Sequence, residues 1–234
     1  MFQFKQFSVD QTGCAMKINT DGVLLGALTE ADDPSSILDI GTGTGVIALM
    51  LAQRFTNAQI DAVEIDESAA KTATQNFENS PFAERLKLHP AGFEEYFTAH
   101  PDKKYDLIVS NPPFYINSLQ SPGAKINLAK HAGDGFFEGV INAVVNQLTQ
   151  QGLCWLILPI DTAKLVKELA IQNGLNLQKT ITVHSFKDDL AHREIVVLGH
   201  DEIRQEISNL TIYNDVNIYS ENYKALLKPY FLAF

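Results

Sequence analysis

Cysteine is scarce: the 234 residues hold two, Cys14 and Cys154, far apart in the chain. No disulfide framework or zinc-ligand spacing can be built from them. A reducing, cytoplasmic setting is expected. Long apolar runs are also missing. None approaches the ~20 residues that span a bilayer, so no membrane partner is expected. The opening Met1-Phe2-Gln3-Phe4-Lys5-Gln6 lacks the charged head and apolar stretch of a secretory signal. Basic charge is in short supply, with 18 Lys and Arg against 28 Asp and Glu and a formal net charge of −10. Non-specific coating of nucleic acid runs on Lys/Arg–phosphate pairing and is excluded, although a local basic patch on an acidic body is not. Internal repeats and low-complexity tracts are absent. What is present is a 45% hydrophobic share, ordinary for a globular chain, which excludes wholesale disorder. One domain is the simplest organisation for this length, and a monomer is expected.

The middle of the chain alternates strand and helix. Ser36-Ile37-Leu38-Asp39-Ile40 reads as a first strand and residues 46–55 as a compact apolar helix. Residues 59–65 read as a second strand and residues 67–78 as a helix with Asp66 placed to cap it. Short strands follow at residues 86–89 and 105–110, the latter stopped by Pro112 and Pro113. A helix over 135–150, a fifth strand over 153–158 and a helix over 161–172 closed by Gly174 complete the alternation. Helices then cease. Residues 177–186 and 194–200 read as two strands around the charged turn Lys187-Asp188-Asp189. Repeated strand–helix units predict a parallel sheet covered on both faces. Two last strands with no helix between them predict an antiparallel hairpin at one edge. The expected core is residues 35–201, preceded by a segment over 1–34. Residues 202–234 form a polar tail with spaced aromatics, packed on the core.

Two patterns carry chemistry. Asp39-Ile40-Gly41-Thr42-Gly43-Thr44-Gly45 follows the first strand and opens a helix. Glycines let the chain turn sharply and let a ligand approach the backbone. The dinucleotide fingerprint needs its third glycine where this chain has Val46. No phosphate-binding lysine is present in the loop, which argues against a nucleoside triphosphate. Glu64 ends the second strand about twenty residues on, where a carboxylate can accept both hydroxyls of a ribose. The second pattern is Asn111-Pro112-Pro113-Phe114, directly after the fourth strand. Ligands of open α/β sheets bind outside the carboxyl ends of the strands, so this tetrapeptide faces the same crevice. A planar amine is a poor nucleophile because its lone pair is spread into a π-system. The Asn111 side-chain oxygen and the Pro112 carbonyl can each accept one amine hydrogen and draw the nitrogen toward tetrahedral geometry. The two prolines stiffen those acceptors, and Phe114 offers a face on which a base can stack.

These residues resemble the class I S-adenosylmethionine-dependent methyltransferases, in the branch that methylates planar amino nitrogens. Two further segments narrow the resemblance: the run from Cys14 through Thr20-Asp21-Gly22 to Ala27, and Tyr219-Ser220-Glu221-Asn222-Tyr223-Lys224 with the residues up to Lys228. Both are similar to the bacterial enzymes that methylate N6 of adenine 37 in a valine tRNA. The resemblance covers about the whole chain. It implies a Rossmann-like, seven-stranded, mostly parallel sheet whose last strand is antiparallel. It implies S-adenosylmethionine as cofactor, tRNA as partner and no metal. By position, Gly41, Gly43 and Gly45 would border the methionine and ribose parts of the cofactor. Asp39 would help hold the methionine amino group, and Glu64 the ribose. Thr20 and Asp21 would close over the methionine end from the N-terminal segment. Asn111, Pro112, Pro113 and Phe114 would hold the target adenine. Many relatives carry an acid after the third strand that bonds the cofactor adenine. This chain has Ala91-Gly92-Phe93 there, so a backbone group would have to substitute, with Phe93 packing alongside.

Lys125, Lys130 and His131 lie in the acid-free stretch 115–131 and form a candidate RNA-facing patch, with Lys17 a second candidate. A protein glutamine-amide methyltransferase uses the same Asn-Pro-Pro logic but usually carries an additional helical N-terminal domain. DNA adenine methyltransferases usually need a target-recognition insertion, which this chain lacks. A nicotinamide-dependent oxidoreductase is disfavoured by Val46 and the hairpin.

Overall fold

A computed structural model describes residues 1–112 and 135–234. The protein is organised around a mixed sheet. Strands β3 (Ser36–Ile40), β4 (Gln59–Val63), β5 (Leu86–His89), β6 (Tyr105–Ser110) and β7 (Leu148–Leu158) run parallel in the order β7-β6-β3-β4-β5. Side chains alternate between two apolar layers. Ile37, Leu107, Val109, Trp155 and Ile157 face one core, and Leu38, Ile108, Cys154, Leu156 and Leu158 face the other. Burial on both faces explains why these strands read as continuous apolar runs.

The first layer is covered by α1 (Thr20–Leu28), α2 (Val46–Arg54) and α3 (Glu67–Glu78), and the second by α4 (Phe93–Ala99), α5 (Phe136–Gln147) and α6 (Ile160–Gln172). Asp66 caps α3 as its sequence position predicts, accepting the Ala69 N–H at 2.9 Å. Gly174 ends α6 in the left-handed region, with φ +83°. Three helices, α1, α4 and α7 (Glu221–Leu227), exceed the sequence expectation, and β7 begins at Leu148 rather than at the apolar run itself.

The hairpin is formed by β8 (Asn176–Phe186) and β9 (Arg193–Gly199). It does not lie at an edge, which corrects the sequence reading. β9 inserts antiparallel between β7 and β8, and β8 pairs in parallel with β10 (Glu206–Asp215), which carries the short β11 (Ile218–Tyr219). Among the described residues, the seven-strand arrangement is therefore extended to nine strands by the tail. The tail can do this because Leu210 and Ile212 alternate with more polar neighbours and bury one face of β10. Helix α7 (Glu221–Leu227) buries Tyr223 and Leu227 in the first core. A small ribbon of β1 (Phe2–Gln3) and β2 (Ser8–Val9) places Phe4 against Phe231, joining the two ends of the chain. Among the described residues, no helix is long and apolar enough to cross a membrane.

This topology brings the carboxyl ends of β3, β4 and β6 to one edge of the sheet. Because β8 runs parallel to β7, its last residues and the start of β9 reach that edge as well.

Candidate active site

The loop between β3 and α2 has three glycines in the left-handed region: Gly41 at φ +70°, Gly43 at +57° and Gly45 at +83°. Their reasons differ. A Cβ on Gly41 or Gly43 would meet nothing within 4 Å, so these positions border open space. A Cβ on Gly45 would lie 2.5 Å from Cε1 of Phe77. Gly45→Ala therefore combines a strained φ with a clash, and about 1–3 kcal/mol of destabilisation is expected. Thermal melting checks it, and an unchanged midpoint would show that the loop and the Phe77 ring adjust freely. Asn76 of α3 secures the same loop, donating to Thr44 O at 2.8 Å and to Asp10 O at 2.9 Å. Nothing in the sequence marks Asn76, since its role depends on a neighbour far along the chain.

Two carboxylates stand at the loop. Glu64 directly follows β4 and is buried. Its Oε2 accepts the Gly43 N–H and its Oε1 the Asp66 N–H, both at 2.8 Å. Asp39 is wholly buried in β3. Its Oδ2 accepts the Thr42 hydroxyl at 2.6 Å, while Oδ1 is buried without a hydrogen-bond partner. Burial pushes the Asp39 carboxyl up to about 7; the Thr42 hydroxyl and the Ala48 amide oppose the shift, and the Glu64 charge adds to it. An unpartnered buried carboxylate oxygen carries a substantial desolvation penalty. It suits a cationic or donor group arriving in the crevice.

The third component comes from β6. Ser110 sits opposite Ile40 and donates its hydroxyl to Ile40 O at 2.8 Å. Asn111 follows, half-buried, with Oδ1 buried and unpartnered, and Pro112 is buried beside it. The amide nitrogen faces α1, where a Cβ on Gly22 would lie 3.6 Å from Nδ2. Asn19 caps α1 by accepting the Gly22 N–H at 2.9 Å, so the helix opens with Thr20 and Asp21. Thr20 is exposed. Asp21 is buried, and its Oδ2 accepts from Nε of Arg193 at 2.7 Å. Arg193 was not legible as a site residue, because this pair joins β9 to α1 across most of the chain.

The remaining positions are more scattered. Phe93 opens α4, with its ring 5.6 Å from that of Phe136 and its Cζ 3.3 Å from where a Cβ on Gly139 would stand. Ile65, next to Glu64, is 60% exposed, and its Cδ1 is 3.5 Å from a Cβ position on Gly92. It is an apolar side chain left open beside the strand-end acid. Lys17 is exposed. Pro113, Phe114, Lys125, Lys130 and His131 lie outside the described residues. Among the described residues, no three His, Cys, Asp or Glu side chains gather as metal ligands.

Residues 16–157 match the family model of the methyltransferase small domain. The chain belongs to this methyltransferase family. A relative in Pedobacter heparinus is 49% identical over 233 residues, covering 100% of this chain and 98% of its own, and is named tRNA1(Val) (adenine(37)-N6)-methyltransferase. A protein of the same name in Flavobacterium psychrophilum is 43% identical, with 99% of each chain covered. Among solved structures, a predicted O-methyltransferase of Agrobacterium tumefaciens superposes with a TM-score of 0.68 at 17% identity, covering 90% of this chain and 96% of that one. At that identity the likeness speaks for the fold alone. In this methyltransferase the glycine loop, Asp39, Glu64 and Asn111 converge at one edge of the sheet. Open space lies beside Gly41 and Gly43, and one oxygen each of Asp39 and Asn111 is buried without a hydrogen-bond partner.

Proposed function

We propose that this methyltransferase transfers a methyl group from S-adenosylmethionine to N6 of an adenine in tRNA, adenine 37 of a valine tRNA. The observation that carries the reading is the Asn111 side-chain oxygen, buried and without a partner at the end of β6, in a chain whose full-length relatives bear that activity in their names. The residues present fit the cofactor. Open space at Gly41 and Gly43 admits it against the backbone, the unpartnered Asp39 oxygen suits its ammonium, and Glu64 suits its ribose. S-adenosylmethionine, when bound, supplies an electrophilic methyl group. Asn111 Oδ1 and the Pro112 carbonyl accept the two hydrogens of the adenine amine, freeing its lone pair for attack, and a proton then passes to water. Correct placement supplies most of the acceleration in such a displacement. Thr20 and Asp21 close the crevice from α1, Pro113 and Phe114 hold the adenine, and Phe93 packs at the cofactor's far end. Lys17, Lys125, Lys130 and His131 meet the RNA.

The test uses labelled cofactor with unmodified valine tRNA and with the same tRNA carrying guanine at position 37. Label should enter the first and not the second. Equal labelling of both would place the target elsewhere.

Asp39 adds a pH signature. Its carboxyl must be ionised to accept an ammonium, and burial holds it at about 7. Cofactor affinity should therefore rise with pH up to about 7 and level off above. Binding below that point should release a proton, counted by calorimetry in buffers of different ionisation enthalpy. The ligand-free protein shows the opposite sign. The folded value exceeds the ordinary 3.8, so ionising Asp39 costs stability as pH rises between about 4 and 7. Asp39→Asn should flatten both slopes, and slopes identical to wild type would remove Asp39 from this role.

A further inference from the structure

Behind the crevice, on the α4 side of the sheet, lies a polar cluster that none of these roles uses. Asp61 stands in the middle of β4 and is 7% exposed. Its Oδ1 meets His89 Nε2 at 2.8 Å, and its Oδ2 accepts from the Tyr105 hydroxyl at 3.0 Å and from Lys103 Nζ. The Tyr105 and Tyr96 hydroxyls are 2.6 Å apart. The His89 ring lies 4.6 Å from that of Tyr96 and 5.8 Å from that of His100. Burial pushes the Asp61 carboxyl up, but the bonds from Lys103, His89 and Tyr105 outweigh it and hold the group below its ordinary value. A satisfied network of this kind has one arrangement and resists distortion.

His89 connects that cluster to the crevice. It is the last residue of β5 and sits opposite Val63, directly before Glu64. Its carbonyl accepts the Glu64 N–H at 3.2 Å and the Ala91 N–H at 2.9 Å. A single residue, pinned at its ring by Asp61, thus ties the ribose acid to the turn over 90–92. That turn offers Ala91 and Gly92, with no acidic side chain to reach the adenine of the cofactor. A backbone group cannot compensate for misplacement by changing rotamer, so its hydrogen bond depends on where the turn is held.

We propose that His89 is a positioning residue for the adenine end of the cofactor: its bond to Asp61 sets the 90–92 turn so that the turn's backbone reads the adenine edge. The proposal rests on the crevice being the S-adenosylmethionine site. It predicts selectivity rather than simple affinity. S-adenosylhomocysteine and its S-inosyl counterpart, in which a carbonyl replaces the adenine amine, are titrated by calorimetry into wild type, His89→Leu, His89→Gln, His89→Phe and Asp61→Leu.

Wild type should prefer the adenine compound by about tenfold, the worth of one well-made hydrogen bond. His89→Leu should reduce the preference to about threefold or less, while the methylation rate at saturating cofactor stays within about twofold. His89→Gln, whose amide retains a donor toward Asp61, should keep most of the preference. Asp61→Leu, which removes the acceptor, should lose it, and should add little on top of His89→Leu, because both break the same bond. If melting shows that His89→Leu does not fold, His89→Phe, which keeps a flat ring but has no donor or acceptor for Asp61, carries the same criterion. Equal affinity of wild type for the two compounds, or an undiminished preference in the folded variants, overturns the proposal. No binding of either compound by wild type would instead overturn the cofactor reading on which it rests.

Discussion

Asn111→Ala should slow single-turnover methyl transfer to unmodified tRNA by roughly 10²–10³-fold, the usual cost of removing one pre-placed polar group that acts on a developing charge. Cofactor affinity should remain near wild type, because the cofactor's contacts come from the glycine loop, Asp39 and Glu64. The split follows from when the contact matters. In the ground state the amine nitrogen is flat and its hydrogens are weak donors. As the nitrogen pyramidalises and gains positive charge, the hydrogens become strong donors, and Asn111 Oδ1 bonds them best at that moment. An interaction that strengthens in the transition state lowers the rate more than it lowers affinity. The buried state of that oxygen supports the reading, since it has no hydrogen-bond partner among the described residues. A wild-type rate in this variant would reduce the Asn-Pro-Pro-Phe segment to a strand terminator.

Glu64→Ala should weaken S-adenosylmethionine binding roughly ten- to hundredfold. Hydrogen bonds to a charged group contribute ~1.5–3 kcal/mol. The loss has two sources. The ribose hydroxyls lose their acceptor, and the Gly43 and Asp66 amides lose the carboxylate that now holds them at 2.8 Å. The glycine loop is therefore less well fixed before any ligand arrives. Calorimetry on the folded variant reads the effect directly, and unchanged affinity would remove Glu64 from the site. The wild type should show no binding of NAD in the same experiment.

The parts legible in the sequence were those in which local chemistry and global fold agree. The β3–loop–α2 unit could be read because three glycines followed an apolar strand and preceded an apolar helix. Asn111 was legible because two prolines fixed its surroundings. The hairpin of β8 and β9 was visible, but its place was not. Strand insertion between β7 and β8 leaves no local trace, and the alternation of Leu210 and Ile212 in β10 is too short to distinguish from a polar tail. Helix α4 escaped notice because its buried Tyr96 and Phe97 stand among exposed acids and a threonine. The pairing of Asp21 with Arg193, and the clasp of Asn76 on the loop, depend on neighbours distant in sequence, for which a single sequence carries no signal.

The proposed activity is methylation of an exocyclic adenine amine in the crevice at the carboxyl ends of β3, β4 and β6. Its most direct test is mass analysis of nucleosides from tRNA incubated with the protein and S-adenosylmethionine, followed by sequencing of the modified fragment. N6-methyladenosine is expected at position 37 of valine tRNA, and none when Asn111→Ala replaces the wild type over the same short incubation. Methyl groups recovered on a ring nitrogen, on ribose or on a protein glutamine, with the tRNA adenine amine unmodified, would contradict it.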